Sequence, residues 1–170
     1  MITAAQDLER GGADFVIICT NTMHKMAEEV QAAIHVPLLH IADPTAEKIR
    51  AQHLTRIGLL GTRFTMEQDF YRGRLTDRFG LDVLIPGPED REMVHRIVYE
   101  ELCLGIINPA SRQEYIRIMK DLVDRGAEGI ILGCTEIEML ITPEDSSVPV
   151  FDTTLIHAVA AVEFALQPVQ

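Results

Sequence analysis

RGGADFVIICT at residues 10–20 and RGAEGIILGCT at residues 125–135 are one eleven-residue phrase written twice in the same chain. Each runs from Arg-Gly through small and acidic residues into an apolar stretch that ends Cys-Thr. An unbroken apolar run of strand length, entered through glycine, is what a strand covered on both faces of a parallel sheet looks like. The likeness continues downstream. A short helical stretch follows each Cys-Thr pair, and then a Val-Pro strand: Val36-Pro37 lies 17 residues after Cys19, and Val148-Pro149 lies 14 after Cys134. Each Val-Pro strand feeds a helix, one from Pro44 and one from Thr154. Two coincidences in register imply duplicated lobes related by a pseudo-twofold axis.

Working outward, helix and strand alternate. Helices are expected over 2–10, 23–33, from Pro44 (with Asp43 as N-cap), 66–79, 89–104, 109–125 and 154–166. Strands are expected over 15–19, 36–40, 57–60, 83–85, 129–133 and 148–151. Alternation of this kind defines an α/β architecture with parallel sheets. The repeat also measures a difference between the lobes. The strand at Ile57 begins 77 residues before Cys134, whereas only 18 residues precede Cys19, a shortfall of 59. The reading is therefore two pseudo-symmetric, Rossmann-like lobes with parallel sheets, the first N-terminally incomplete. Residues 1–53 plus 154–170 form the first lobe and residues 54–153 the second. A sheet edge should lie open where the first lobe is short, and an open apolar edge invites association. A homo-oligomer is the expectation, and a compact monomer in solution scattering would contradict it.

Composition narrows the function. The chain has 170 residues, 26 acidic and 15 basic, for a net charge of −11. No cluster of Lys and Arg supplies the basic face of a nucleic-acid binder. The apolar runs are far shorter than the roughly 20 residues of a membrane helix, so no membrane partner is expected. The three cysteines, Cys19, Cys103 and Cys134, form neither a disulfide framework nor a CxxC metal pattern. Free thiols in an acidic chain point to a reducing cytoplasm.

Ligands of open parallel sheets bind beyond the carboxyl ends of the strands, where both Cys-Thr pairs fall. Unpaired backbone N–H groups at such turns attract anions and favour thiolate. Two matched turns facing each other across a cleft suit a reaction that needs acid/base groups on opposite faces of one carbon, such as inversion at a Cα. A lone buried cysteine at a strand end is more often a small hydrophobe, and two in equivalent positions reverse that balance. Cys103 has no repeat partner and reads as structural or cleft-lining.

TNTMHK (20–25), LLGTRFTMEQDFY (59–71), GCTEI (133–137) and PVFDTTLIHA (149–158) resemble the aspartate/glutamate racemase family, and more closely its broad-specificity amino-acid racemase branch, over essentially the whole chain. The resemblance implies a two-lobe α/β enzyme of D-amino-acid metabolism using no pyridoxal phosphate, metal or other cofactor, with an amino acid as its small-molecule partner. It implies Cys19 and Cys134 as the catalytic pair. Asn21 and Thr22 would bind the substrate α-carboxylate and Thr20 would border the substrate beside them, with Thr135 and Glu136 opposite, Glu136 a candidate for the ammonium group, and Thr62 bordering the same cleft. Helix capping is the plainer reading of Thr20, Asn21 and Thr135, and a first-turn acid that of Glu136.

Two departures stand out. The family's opening glycine-rich turn, which helps bind substrate, has no counterpart here. Aspartate-preferring members often carry Lys where this chain has Cys103, which favours neutral or varied substrate side chains. The alternatives are a related isomerase of the superfamily, acting on hydantoins or maleate, and a non-catalytic fragment. His35 and His40 lack a metal spacing, Gly58-Leu59-Leu60-Gly61-Thr62 lacks the third glycine of a nucleotide turn, Glu100-Glu101 reads as a solvated face, and Met23 and Met26 read as core.

Overall fold

The computed structural model describes residues 1–167. Residues 168–170, the end of the segment assigned to the first lobe, lie outside the described residues. The elements are α1 (Ile2–Arg10), β1 (Val16–Ile17), a 3-10 turn (Thr22–Met26), α2 (Ala27–Ala32), β2 (Leu38–Leu39), α3 (Ala42–Ala51), β3 (Arg56–Gly61), α4 (Arg63–Glu67), α5 (Asp69–Gly73), a π turn (Arg74–Arg78), β4 (Asp82–Leu84), α6 (Pro88–Glu100), α7 (Pro109–Asp124), β5 (Gly129–Gly133), β6 (Val150–Asp152) and α8 (Thr153–Ala165).

Every strand pairing is parallel. One sheet holds β1 and β2, and the other has the order β4-β3-β5-β6. The two phrases of the repeat supply β1 and β5. In each copy the strand's first paired N–H donates to the proline carbonyl of its Val-Pro partner: Val16 to Pro37 at 2.9 Å and Ile130 to Pro149 at 2.9 Å. The copies differ in one respect. The cysteine follows that bond by three residues in the first copy and by four in the second. The left-handed glycine that closes the preceding helix also shifts, from Gly126 in the second copy to Gly12 in the first, one place later than the matched phrases imply.

β3 and β5 are the central strands of the larger sheet. Ile57, Leu59, Leu60, Ile130, Ile131 and Leu132 are buried there, because helices cover both faces. Their apolar runs are continuous for that reason. The chain leaves β3 toward β4 on one side and leaves β5 toward β6 on the other, so the crevice of this sheet lies beyond the carboxyl ends of β3 and β5. The smaller sheet rests on a separate cluster of Ala5, Val16, Val30 and Ile34.

Several elements depart from the sequence reading. The helix expected over 66–79 begins at Thr62, whose hydroxyl accepts from the Thr65 N–H, and breaks at Gln68, which is extended at φ −88 and ψ 150. Asp43 does not cap α3. It lies inside the first turn, and its carboxylate takes both ends of the Arg74 guanidinium at 2.5 and 2.7 Å. The helix expected over 23–33 opens as a 3-10 turn without a side-chain cap. Met23 is exposed rather than core, while Met26 packs against the small cluster.

Three histidines, one from the 3-10 turn, one after β2 and one from α8, meet in the interior. The His24 and His40 rings are 4.3 Å apart and those of His24 and His157 5.9 Å. Their bonds fix His24 and His40 as neutral, each accepting a backbone N–H at a ring nitrogen. His24 donates from Nδ1 to the Thr20 carbonyl at 2.7 Å and accepts the Ile41 N–H at Nε2, 3.1 Å. His40 accepts the Ala42 N–H, and His157 donates to the Leu39 carbonyl. Burial lowers all three, His24 to about 4 and His40 to about 2.

Unfolded histidines take up protons below about pH 6.5, whereas the folded ones resist them. The folded state is therefore favoured in full above pH 6.5 and loses stability as pH falls toward 4, by about 1.4 kcal/mol per pH unit for each histidine held neutral. Glu138 works in the opposite sense. Burial and then the Asp152 carboxylate raise it to about 7, which offsets one histidine. The urea midpoint is expected to fall between pH 6.5 and 5, before ordinary carboxylates titrate. An unchanged midpoint over that interval would contradict the buried neutral trio.

Candidate active site

Gly61 and Gly133, the last residues of β3 and β5, are direct register partners. Beyond them stand Thr62 and Cys134, and the first copy's turn, Cys19 to Thr22, joins them through side-chain bonds. The Thr22 and Thr62 hydroxyls are 2.9 Å apart, and Thr65 completes a triangle at 3.3 and 3.2 Å. A ring of three hydroxyls can satisfy itself or turn protons outward to an anion, since each oxygen both donates and accepts. Asn21 is buried. Its Nδ2 donates to the Thr153 hydroxyl at 2.9 Å, and that hydroxyl donates to the Leu132 carbonyl at 2.8 Å. The Asn21 Oδ1 is buried without a protein partner. Asn21 therefore does not use its side chain as a helix cap, and neither does Thr135, whose hydroxyl donates to Glu136 at 2.8 Å. Thr20 lends its carbonyl to His24.

Cys134 is buried, and its S–H donates to Glu136 Oε2 at 2.8 Å. Burial first, and then this carboxylate, push the thiol well above its ordinary value. The sequence reading expected a helix N-terminus to favour thiolate here. The segment after Cys134 is only a three-residue 3-10 turn, Ile137–Met139, too short to build a dipole, and Glu136 places a negative charge in front of it. The resting form of Cys134 is the thiol. Replacing Glu136 by Gln removes part of what holds the proton. In a background with Cys19 and Cys103 changed to Ser, Glu136→Gln is expected to raise iodoacetamide alkylation of Cys134 at fixed pH, about tenfold for each unit by which its pKa falls. An equal or slower rate would show that burial alone governs the thiol.

Cys19 is exposed at the opposite turn. Cys103, at the foot of α6, is also exposed. Cys103 sits in the 3-10 turn after α6; burial and then Glu136 raise its thiol, and Tyr99 in the last turn of α6 is raised by burial and then by Cys134, Cys103 and Glu136. These four side chains occupy one neighbourhood, so Cys103 lines the second-copy side. The sequence reading missed Tyr99, Thr65 and Thr153. Thr65 and Thr153 lie inside stretches that carry the family resemblance, but no local pattern marked either as part of the site. Of the acidic pair, Glu100 is solvated, but Glu101 accepts the Ser111 hydroxyl at 2.6 Å.

An open cavity of about 540 Å³ lies elsewhere, lined by His40, Asp43, Arg74 and Arg78 among others. Among the described residues, no group of three or more His, Cys, Asp or Glu side chains could hold a metal ion. No described helix is long and apolar enough to cross a membrane.

A parallel α/β frame with a cysteine at each of two matched strand ends is a class of site, and the comparisons give it a family. The sequence model of the Asp/Glu/hydantoin racemase family matches residues 1–161, and the chain belongs to that family. It is 26% identical over 169 residues to the broad specificity amino-acid racemase RacX of Bacillus subtilis, covering 95% of this chain and 69% of that one. A crystal structure from Yersinia pestis, of a candidate Asp/Glu racemase, is 57% identical with a TM-score of 0.93, covering 98% of this chain and 72% of that chain. An aspartate racemase homologue from Pyrococcus horikoshii is 39% identical with a TM-score of 0.87, covering 98% and 73%.

Proposed function

We propose that this chain is a cofactor-independent amino-acid racemase in which Cys19 and Cys134 act as opposed base and acid. The observation that carries the reading is the pair of ties from the first cysteine turn to the central strands, Asn21 through Thr153 to Leu132 of β5 and Thr22 to Thr62 at the end of β3. In this reading the two Cys-Thr turns face each other at the mouth of one crevice, between lobes of residues 1–53 plus 154–170 and 54–153. Family membership supports the reaction class.

In the proposed reaction the substrate's Cα lies between the two sulfurs. The thiolate of one cysteine takes the Cα proton. The electron pair left on carbon spreads into the α-carboxylate, which therefore gains negative charge in the transition state. Hydrogen-bond donors aimed at that carboxylate lower the barrier. Asn21, the Thr22 and Thr62 hydroxyls and the backbone of the Thr20 turn fill that role, with Thr135 opposite. Glu136, the acid of the site, suits the substrate ammonium. The opposing thiol then delivers its proton to the other face of Cα. Cys134, resting as the thiol, is the donor in one direction and must give its proton away in the other. Cys103 stands where aspartate-preferring members of the family often carry Lys, which favours neutral or varied side chains.

The test is Cα-proton exchange in D₂O with L-aspartate, L-glutamate and a panel of neutral L-amino acids, followed by NMR with chiral analysis of products. Loss of the Cα–H signal together with the D-enantiomer is expected. No exchange with any substrate would favour a non-catalytic chain, and turnover of a hydantoin or maleate alone would favour the related isomerase. Self-association belongs to the same reading. β1 has no strand on its outer edge among the described residues, and Leu155, Val159, Val162 and Leu166 are exposed along α8.

A further inference from the structure

Thr153 begins α8 and is fully buried, yet the start of the helix does not need its hydroxyl. Asp152 caps α8, its carboxylate accepting the Thr154 and Leu155 N–H groups at 2.9 and 3.1 Å. The Thr153 oxygen instead meets two groups from different parts of the chain. The Leu132 carbonyl can only accept, so the single hydroxyl proton goes there. The oxygen then accepts from Asn21, which fixes the amide with Nδ2 toward Thr153 and Oδ1 away from it. Leu132 precedes Cys134 by two residues, and Asn21 follows Cys19 by two. One oxygen thus touches both cysteine segments.

The two segments are unequal in their own rigidity. Cys134 directly follows a fully buried central strand. Cys19 follows a two-residue strand on a cluster of four buried residues, and its turn has no side-chain cap. Thr22 ties the first turn to Thr62 and Thr65, and the Thr153 hydroxyl ties it to the strand that leads into Cys134.

We propose that Thr153 is a positioning residue that sets the separation and facing of Cys19 and Cys134, an inference that rests on the reading of those thiols as opposed acid and base. Inversion breaks Cα–H while S–H forms on one sulfur, with the electron pair left on carbon. Then the S–H of the other sulfur breaks, its proton joins Cα on the far face, and its electron pair stays on sulfur. Each thiol can exchange the proton on its own face without the other. Only transfer across the carbon needs both in place, and misplacement of about 1 Å costs about a hundredfold in such a step.

The experiment uses the 170-residue chain with Thr153→Val, Thr153→Ala and Thr153→Ser. Two quantities are read. The first is the ratio of inversion to Cα deuterium exchange with retention, in D₂O. The second, which needs no turnover, is bridging of Cys19 to Cys134 by a short bis-maleimide in a Cys103→Ser background, mapped by peptide mass spectrometry. The native chain and Thr153→Ser should bridge and invert alike. Thr153→Val and Thr153→Ala should lose the bridge and drop the inversion-to-exchange ratio about a hundredfold, while each thiol alone reacts with a monofunctional maleimide as before. Bridging and ratio unchanged in the folded Val and Ala variants would overturn the role of Thr153 and leave the two-thiol reading intact. Loss of the fold in both variants, with Ser intact, would make Thr153 a residue of stability and overturn the positioning role. A native chain whose thiols do not bridge, or whose turnover survives Cys19→Ser and Cys134→Ser, would overturn the two-thiol reading and this inference with it.

Discussion

Cys134→Ser is expected to lower racemisation by about 10²- to 10⁴-fold, the usual contribution of a positioned acid or base, and to leave the fold in place. The substitution is close to isosteric, and a serine hydroxyl can still donate to Glu136, so the half-buried carboxylate contact is kept. What is lost is a group able to exchange a proton with carbon near neutral pH, since a hydroxyl is a far weaker acid than a thiol. Cys19→Ser should have an equal effect on inversion, although Cys19 is exposed and Cys134 buried. The two variants should differ in what survives. Each keeps one thiol, so each should retain deuterium exchange, without inversion, on the one enantiomer whose Cα–H faces that thiol. Chiral chromatography and NMR on both enantiomers in D₂O read this directly. Turnover retained in both variants would remove the mechanism.

The frame behind this result was legible in the sequence because duplication repeats its own evidence. The apolar runs before Cys19 and Cys134 read as buried parallel strands; the second is β5, buried throughout, while only Val16–Ile17 of the first is strand and Ile17 is half-buried. The strands beside them begin directly after the Val-Pro pairs, at Leu38 and Val150, with the same proline-accepted bond. What periodicity could not supply were contacts between residues far apart in the chain. The Asp43 carboxylate was assigned to a cap on local grounds and instead pairs with Arg74, 31 residues away. Asn21 and Thr153 are 132 residues apart, and neither position carries a pattern that announces the other. The electrostatic expectation at Cys134 failed for a similar reason. It assumed a helix where the chain makes a 3-10 turn, and it counted a backbone dipole without the carboxylate two residues on. The helix expected over 66–79 broke because Gln68 turns extended, which no propensity at that residue demands. The buried histidine trio was missed because His24, His40 and His157 each look ordinary alone.

Gly61→Ala should be the most destabilising single-methyl change in the frame, by about 3 kcal/mol. A Cβ at Gly61 would stand 2.7 Å from the carbonyl oxygen of Gly133, and one at Gly133 would stand 2.8 Å from that of Leu60. Both obstacles are backbone, on adjacent central strands with buried side chains on every side, so no flexible group can swing away. The strain must part β3 from β5 or bend one of them. For a chain of this size that is a fall in Tm of roughly 10 °C, read by circular dichroism on heating. Gly73→Ala is the matched control. It is helical, and its Cβ would meet only ordinary contact at 3.6 Å from Asp69. There the gain in helix propensity should make the change neutral or stabilising by up to about 1 kcal/mol. The consequence at Gly61 reaches the chemistry, because the two glycines are the last paired residues before Thr62 and Cys134. Parting the strands moves the hydroxyl triangle away from the thiol. Gly61→Ala should therefore lose racemisation even at temperatures where it is fully folded, whereas Gly73→Ala should not. A Gly61→Ala chain that melts with the native protein would mean that β3 and β5 have room to spare at their carboxyl ends, and the tight crevice from which the site is built would no longer explain its geometry.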